Sequence, residues 1–220
     1  MRALITGGSR GIGKATVEMF ERHGYDVLAP SRAELDLSNP DSVEQFVGDH
    51  RGEPLDTIIN NAGINDLTLI EEADDETIAR MIEVDLLSPI RLLRGFVPSL
   101  KSSQAGRVVN IGSIWAAVSK PGRGLYSAAK HGMHGITNAL ALELAEHGVL
   151  VNTVCPGFTA TELTTQNNTP EQIAAIERDI PLGRMARPEE IAAAVYWLGS
   201  QENSYITGQK ILVDGGFTIR

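Results

Sequence analysis

The sequence predicts an α/β protein, a single domain built as a doubly wound parallel sheet. Three observations carry that reading. Short apolar runs rich in β-branched residues recur along the 220 residues, longer segments with helical signals separate them, and no Pro/Gly/Ser-rich linker or shift of composition divides the chain. Strands alternating with helices need crossover connections, which place helices on both faces of a parallel sheet.

The first strand is Ala3-Leu4-Ile5, and a glycine-rich turn leads from it into a helix from Ile12 to His23. Val27-Leu28-Ala29 is the second strand. The next helix runs from Pro40 to His50 after an Asn39 cap, with proline at the first position, where its missing N–H costs nothing. Thr57-Ile58-Ile59 is followed by a long helical segment, Glu71 to Leu100, and Val108-Val109-Asn110-Ile111 by a helix from Tyr126 to His147. Val149-Leu150-Val151, a helix from Pro188 to Leu198 and Ile211-Leu212-Val213 complete the alternation.

Two connections depart from the pattern. Between Pro30 and the extended run Glu34-Leu35-Asp36-Leu37 too few residues remain for a helix, so one crossover helix of the usual pattern is expected to be missing between the second and third strands. The stretch 158–187 is polar and turn-prone through Thr159, Thr161, Thr164, Thr165, Asn167, Asn168 and Thr169, and is expected to form a substrate lid.

Composition narrows the function. Nineteen basic against 28 acidic residues give a net charge of −9, which argues against nucleic-acid or anionic-membrane partners. No run approaches the ~18 apolar residues of a membrane helix, and the N-terminus reaches Gly7-Gly8 too soon for a signal peptide. A cytoplasmic location is the expectation. The single Cys155, between Val154 and Pro156, excludes an internal disulfide framework and reads as a buried strand-end residue. His131 and His134 can share a helix face, but no third ligand is spaced to complete a site, so no metal is expected.

Two local patterns carry chemistry. Thr6-Gly7-Gly8-Ser9-Arg10-Gly11-Ile12-Gly13 joins the first strand to the first helix, where glycines permit a tight turn and free helix amides suit a pyrophosphate. Its spacing is not G-x-G-x-x-G; its position directly between the first strand and the first helix favours a dinucleotide site over a Gly-rich turn without a ligand. Tyr126-Ser127-Ala128-Ala129-Lys130 sets a phenol and an ammonium four residues apart on one helix face. A free tyrosine ionises near pH ~10, and a neighbouring cation lowers that value toward the range useful for proton transfer. Ser113, just after the fourth strand, can add a hydroxyl hydrogen bond to the same oxygen.

Together these motifs resemble the short-chain dehydrogenase/reductase family. The resemblance covers nearly the whole chain: Thr6-Gly7-x-x-x-Gly11-x-Gly13, Asn60-Asn61-Ala62-Gly63, Ile111-Gly112-Ser113, Tyr126-x-x-x-Lys130, Pro156-Gly157, Ile206-Thr207-Gly208-Gln209 and Asp214-Gly215-Gly216. It implies a Rossmann fold and an NAD(P)-dependent oxidoreductase acting on a small-molecule carbonyl or alcohol. By resemblance, Tyr126 is the general acid/base, Ser113 orients the carbonyl, and Lys130 binds the nicotinamide ribose and lowers the tyrosine pKa. Asn60, Asn61, Ala62 and Gly63 line the adenosine side; Pro156, Gly157, Thr159 and Thr161 meet the nicotinamide end; Asp36 and Leu37 match positions that touch adenine. Gly7, Ser9, Arg10, Gly11, Ile12 and Gly13 form the phosphate loop. Asp85 stands where the family has asparagine in the helix before the catalytic strand, a residue that acts mainly through its backbone carbonyl in a water relay to the lysine. Its added carboxylate favours the charged form of Lys130.

Cofactor choice is read at the end of the second strand. An NAD site places Asp or Glu there, whereas this chain has Pro30-Ser31-Arg32, and Arg32 with Arg10 can bracket a 2′-phosphate. NADP(H) is expected in preference to NAD(H). The apolar and small residues of the Tyr126 helix, among them Ala128, Ala129, Gly132, Met133, Gly135, Ile136, Ala139 and Leu140, exceed one buried face, so two such helices from different subunits can pack closely. The family resemblance implies a homotetramer built on two-fold axes, or a homodimer. In motif order the chain is most similar to 3-oxoacyl-(acyl-carrier-protein) reductases. Those dock an acidic carrier through two arginines beside the active-site entrance, whose matching positions here are Gln104 and His147. A small free ketone, sugar or coenzyme-linked substrate is therefore expected to serve at least as well as a carrier-bound one. The alternative is a dinucleotide-binding sensor without catalysis; a serine hydrolase is disfavoured because Ser113 lacks a G-x-S-x-G elbow.

Overall fold

The computed structural model describes residues 1–162, 164 and 168–220. Six parallel strands form one sheet: β1 (Arg2–Ile5), β2 (Asp26–Leu28), β3 (Thr57–Asn60), β4 (Arg107–Ile111), β5 (Leu150–Pro156) and β6 (Lys210–Val213), in the order β2-β1-β3-β4-β5-β6. Chain direction reverses its progress across the sheet at β1, so the loops after β1 and β3 open a crevice at the strands' C-terminal ends. Alternation along each strand separates two cores. Leu4, Ile58, Val108 and Val151 face one side, while Ile5, Ile59, Val109 and Val154 face the other.

The helices fill those sides by their apolar stripes. On one lie α1 (Gly11–Arg22) and α7 (Pro188–Gly199), with Phe20, Ile191, Val195 and Leu198 against the sheet. On the other lie α2 (Pro40–Asp49), α4 (Ser88–Ser102) and α5 (Gly124–Glu143), contributing Phe46, Leu92, Phe96 and Ala141. Asn39 caps α2 as its sequence requires, its side chain accepting from the Asp41 amide at 3.0 Å.

The short connection after β2 carries no helix before Asn39, and the run Glu34 to Leu37 does not pair into the sheet. Leu35 and Leu37 are instead buried in the α2/α4 core, so α2 alone returns the chain from β2 to β3. The long helical segment is also subdivided. A 3-10 turn (Ile70–Glu72) precedes α3 (Asp75–Ile82), a π-helical turn (Glu83–Leu87) follows, and α4 continues from it. Helix α5 begins two residues before Tyr126, and a 3-10 turn from Ala145 to His147 ends it at Gly148, whose φ of +69° only glycine adopts freely.

The expected lid is not merely turns. It contains α6 (Pro170–Asp179), opened by Thr169, which caps the Gln172 amide while Gln172 caps the Thr169 amide in return. None of the residues of α6 is buried, which is why its polarity outweighs its caps in a reading of pattern alone. Thr165 and Asn167 of the expected lid lie outside the described residues.

Candidate functional site

The loops after β1 and β3 are locked together before any ligand is considered. Thr6 Oγ1 accepts from the amides of Asn61 and Ala62 at 3.1 and 3.0 Å, and Asn61 Nδ2 donates to the carbonyls of Thr6 and Gly7 at 2.9 and 3.2 Å. The glycines are sterically required: a Cβ on Gly13 would lie 2.0 Å from the Gly7 carbonyl oxygen, and Gly7 itself has φ +69°. Arg10 precedes α1 without a side-chain cap, so the first amides of that helix are left for an anion. A Cβ on Gly11 would meet Thr161 Cγ2 at 3.2 Å, so the glycine loop faces the segment after β5 across the crevice. These features fit a dinucleotide pyrophosphate: close backbone approach, free amides and no carboxylate in the loop.

At the end of β4, Ser113 is buried and extended, its Oγ accepting from the Trp115 amide at 3.3 Å. One turn into α5, Tyr126 is half-buried, and Lys130 Nζ stands 5.4 Å from its ring centroid. Lys130 donates to the Ile111 carbonyl at 3.2 Å and forms an ion pair with Asp85 Oδ1 at 3.0 Å. Asp85 Oδ2 accepts from the Ile64 amide at 3.1 Å. The π-helical turn lies between two helices, and it brings this carboxylate inward beside the loop after β3. Gly63 is needed there, because a Cβ would come within 2.5 Å of Asp85 Oδ1.

The electrostatics follow from burial. Desolvation alone would depress Lys130, but Tyr126 and the Asp85 carboxylate outweigh it and hold the ammonium above its usual value. Asp85 is raised by the same burial, against the pull of Lys130. The direction that governs the pair is a charged Lys130, since carboxylate and amide hydrogen bonding both favour the ionised partners. Cys155 is fully buried, and desolvation pushes its thiol up to about 11.

Other expected residues sit at different distances from this centre. Asn60 is buried at the end of β3, where its Nδ2 donates to Asn110 Oδ1 at 2.8 Å. Pro156 and Gly157 follow at the end of β5, with Gly157 pressed against Asp214, where a Cβ would lie 2.7 Å from its Cα. Arg32 is exposed and lies 3.6 Å from Asp36 Oδ1, while Asp36 itself accepts from the amide and hydroxyl of Ser38. Leu37 commits its side chain to the core, and its carbonyl accepts from Ser88 Oγ. Ser9 and Arg10 are exposed on the glycine loop, and Ile12 packs partly under it. Gln104 and His147 precede β4 and β5, at the opposite end of the sheet from Ser113. Within one chain they are therefore not beside the entrance, a correction that follows from the parallel strand direction.

One contributor escapes the motifs: Asn110 links Asn60 to Thr137, accepting from Asn60 Nδ2 at 2.8 Å and donating its own Nδ2 to Thr137 Oγ1 at 2.9 Å. Thr6, the first residue of the glycine motif, ties the two nucleotide-side loops. The signal for Asn110 was present as one amide inside an otherwise apolar strand, a group that burial obliges to find partners. Among the described residues no three His, Cys, Asp or Glu side chains cluster as for a metal, and no helix is long and apolar enough to cross a membrane.

Comparison with known proteins places this arrangement. A family profile described as enoyl-(acyl carrier protein) reductase matches residues 29–218. The chain is 35% identical over 235 residues to the 3-oxoacyl-(acyl-carrier-protein) reductase FabG of Vibrio cholerae, covering 97% of this chain and 96% of that protein. It is 36% identical to the uncharacterized oxidoreductase YmfI of Bacillus subtilis, covering 98% of each. Among solved structures, a putative NAD(P) dependent gluconate 5-dehydrogenase from Beutenbergia cavernae with bound NADP superposes with TM-score 0.94 at 29% identity, covering 100% of this chain and 97% of that one. The aldohexose dehydrogenase of Thermoplasma acidophilum gives 0.92 at 30% identity, covering 100% and 94%. The fold is that of a nucleotide-binding α/β enzyme. The chain belongs to the short-chain dehydrogenase/reductase family of oxidoreductases.

Proposed function

We propose that the protein is an NADP(H)-dependent oxidoreductase moving hydride between the nicotinamide and a carbonyl/alcohol carbon, with Tyr126 as general acid/base. The observation that carries this is the convergence of Ser113, Tyr126 and Lys130 at the C-terminal ends of β4 and β5, beside the linked glycine-rich and Asn60–Gly63 loops. When bound, the nicotinamide supplies or accepts the hydride. During reduction, the Tyr126 hydroxyl gives its proton to the developing alkoxide, and Ser113 Oγ donates a hydrogen bond to that oxygen. The Lys130 ammonium stabilises the phenolate left behind, and Asp85 holds that ammonium in place.

Gly7, Ser9, Gly11, Ile12 and Gly13 would cradle the pyrophosphate, Asn60 to Gly63 the adenosine side, with Asp36 and the backbone of Leu37 nearby. Pro156, Gly157, Thr159 and Thr161 would meet the nicotinamide end, and residues 158–187 would close over the substrate as a lid. Arg10 and Arg32 would read the 2′-phosphate, Arg32 exchanging its 3.6 Å contact with Asp36 for the ligand. Replacing both arginines with alanine should weaken NADPH about tenfold more than NADH, since charge-assisted hydrogen bonds of this kind are worth about that much. Equal losses in fluorescence titrations would remove them from cofactor choice.

Ala128, Gly135, Ala139 and Leu142 form an exposed small and apolar stripe along α5, which supports two-fold packing into a homodimer or homotetramer. Light scattering that finds a monomer at micromolar concentration would remove that reading. The lone unpaired thiol suits a reducing, cytoplasmic compartment. The function as a whole is tested by screening carbonyl compounds with NADPH, then the matching alcohols with NADP. Absence of turnover across neutral, sugar, coenzyme-linked and carrier-bound carbonyls would overturn it.

A further inference from the structure

The loop joining β4 to α5 holds two cations with which no carboxylate of the described residues forms an ion pair. Lys120 Nζ lies 5.5 Å from the Trp115 ring centroid and Arg123 Cζ 5.3 Å from the same point. Among the described residues, the side chain that Arg123 hydrogen-bonds is the neutral Asn65, and its Nε is buried without a partner. Asp66, next to Asn65 in the chain, is already paired with Arg80.

Bringing like charges together in a partly desolvated place is unfavourable. Burial pushes both groups below their ordinary values, and the charge of Arg123 pushes Lys120 further. Two cation–π contacts offset part of that cost, yet they would do so equally well with the cations apart. The place matters more than the pairing. Trp115 follows Ser113 by two residues, and Arg123 precedes Tyr126 by three, one helical turn, at the cap of α5. Phe158 and Phe217 meet Trp115 edge-on at 6.2 and 6.5 Å and hold in place the ring on which the cations lie.

We propose that Arg123 and Lys120 form an anion subsite beside the catalytic tyrosine, so that the carbonyl substrate carries a carboxylate or phosphate group. The proposal rests on the oxidoreductase reading for its substrate, but not for the subsite itself. A net charge of −9 would repel such a substrate at long range, so its capture depends on these two local charges. The pair lies at the β4–α5 end of the crevice, away from the glycine loop after β1, and so serves the substrate rather than the cofactor phosphates.

The test uses fluorescence. Of the two tryptophans, Trp197 is removed by Trp197→Phe, leaving Trp115 as the reporter of the subsite. Acetate and inorganic phosphate are titrated at constant ionic strength, with neutral acetamide as control. The expected result is a saturable change in emission with an anion and none with acetamide, and the tighter of the two anions identifies the group. Arg123→Gln, which keeps a donor for Asn65, and Lys120→Gln should each weaken that binding about tenfold. A response equal with acetamide, no saturable response to either anion, or one unmoved by both substitutions would overturn the subsite. In a second arm, keto acids are each matched with their methyl ester, and the acid-to-ester ratio of kcat/KM should fall about tenfold in Arg123→Gln. No turnover of any pair would count against the oxidoreductase reading alone, while the fluorescence result would still decide the subsite.

Discussion

Two buried cations mark the two ends of β4 and are satisfied in opposite ways. At the N-terminal end, Arg107 spends its guanidinium on carbonyls: Asn203 at 2.7 and 3.1 Å, Ser200 at 3.2 Å, Gly106 at 2.8 Å and Gly148 at 3.4 Å. It ties the segment after α7 to the sheet, and burial holds it below the ordinary guanidinium value. Lys130, at the C-terminal end, has one carbonyl and one carboxylate and is held above its ordinary value. A planar fork with five donors can be used up by backbone and becomes a clamp; a three-donor ammonium with two partners keeps one N–H free for chemistry. The closed end of the sheet is structural, and the open end is where a ligand can be served.

The largest expected effect breaks the open end. Tyr126→Phe should lower turnover by about 10²–10⁴, the usual worth of a positioned acid or base, while NADPH binding survives because the ring still packs. Near-normal turnover would sink the proton-transfer role. At the closed end the loss should be in stability instead. Arg107→Met strands several buried carbonyls, costing about 3 kcal/mol, which for a chain of this size lowers Tm by about 10 °C. Activity per folded molecule should persist. A variant that is stable but inactive would erase the distinction between the ends.

Asp85→Asn sharpens the comparison further. Asparagine still accepts from the Ile64 amide, but the charge that helps hold Lys130 up is gone. Loss of the ammonium charge should then move the alkaline limb of the pH–rate profile to lower pH. Because the folded value of Lys130 is raised, its share of stability is intact below the ordinary lysine value and is lost as pH rises through the folded one. An unmoved limb would show that Asp85 does no more than fill space.

The smallest effect lies on the surface. Glu190, at the protein surface and partly covered by its partners, is held at about 2 by its hydrogen bonds to the Arg184 guanidinium and the Arg187 amide. Its depressed value means that the benefit exists above the ordinary 4.5 and fades as pH falls toward 2. Glu190→Gln should therefore lower Tm slightly at neutral pH, with the gap closing in acid. A gap as large as that of Arg107→Met would mean that exposure had not weakened the pair.

Tyr126, Lys130, Ser113 and the glycine loop were readable because each is local. A helix sets residues four apart on one face, and a strand delivers its last residue to the sheet edge. The six strands were readable for the same reason, through apolar runs too short for helices. The run from Glu34 to Leu37 was not, since an alternating segment can either pair with the free edge of β2 or turn its apolar residues into a core, and here Leu35 and Leu37 are buried in the α2/α4 core. Helix α6 was hidden because it buries nothing and so writes no apolar stripe.

What the sequence determined by itself was the alternation, the turns that only glycine permits, and the family whose motifs they spell. Which charges meet was decided only by the tertiary structure. Asp85 and Lys130 are 45 positions apart, and a π-helical turn and helix α5 bring them to 3.0 Å. Arg107 finds Asn203 across the sheet, and Gln104 and His147 fall at the end away from Ser113. The physical reason is range: backbone conformation is set by neighbours along the chain, whereas desolvation and charge pairing depend on what packing brings close in space.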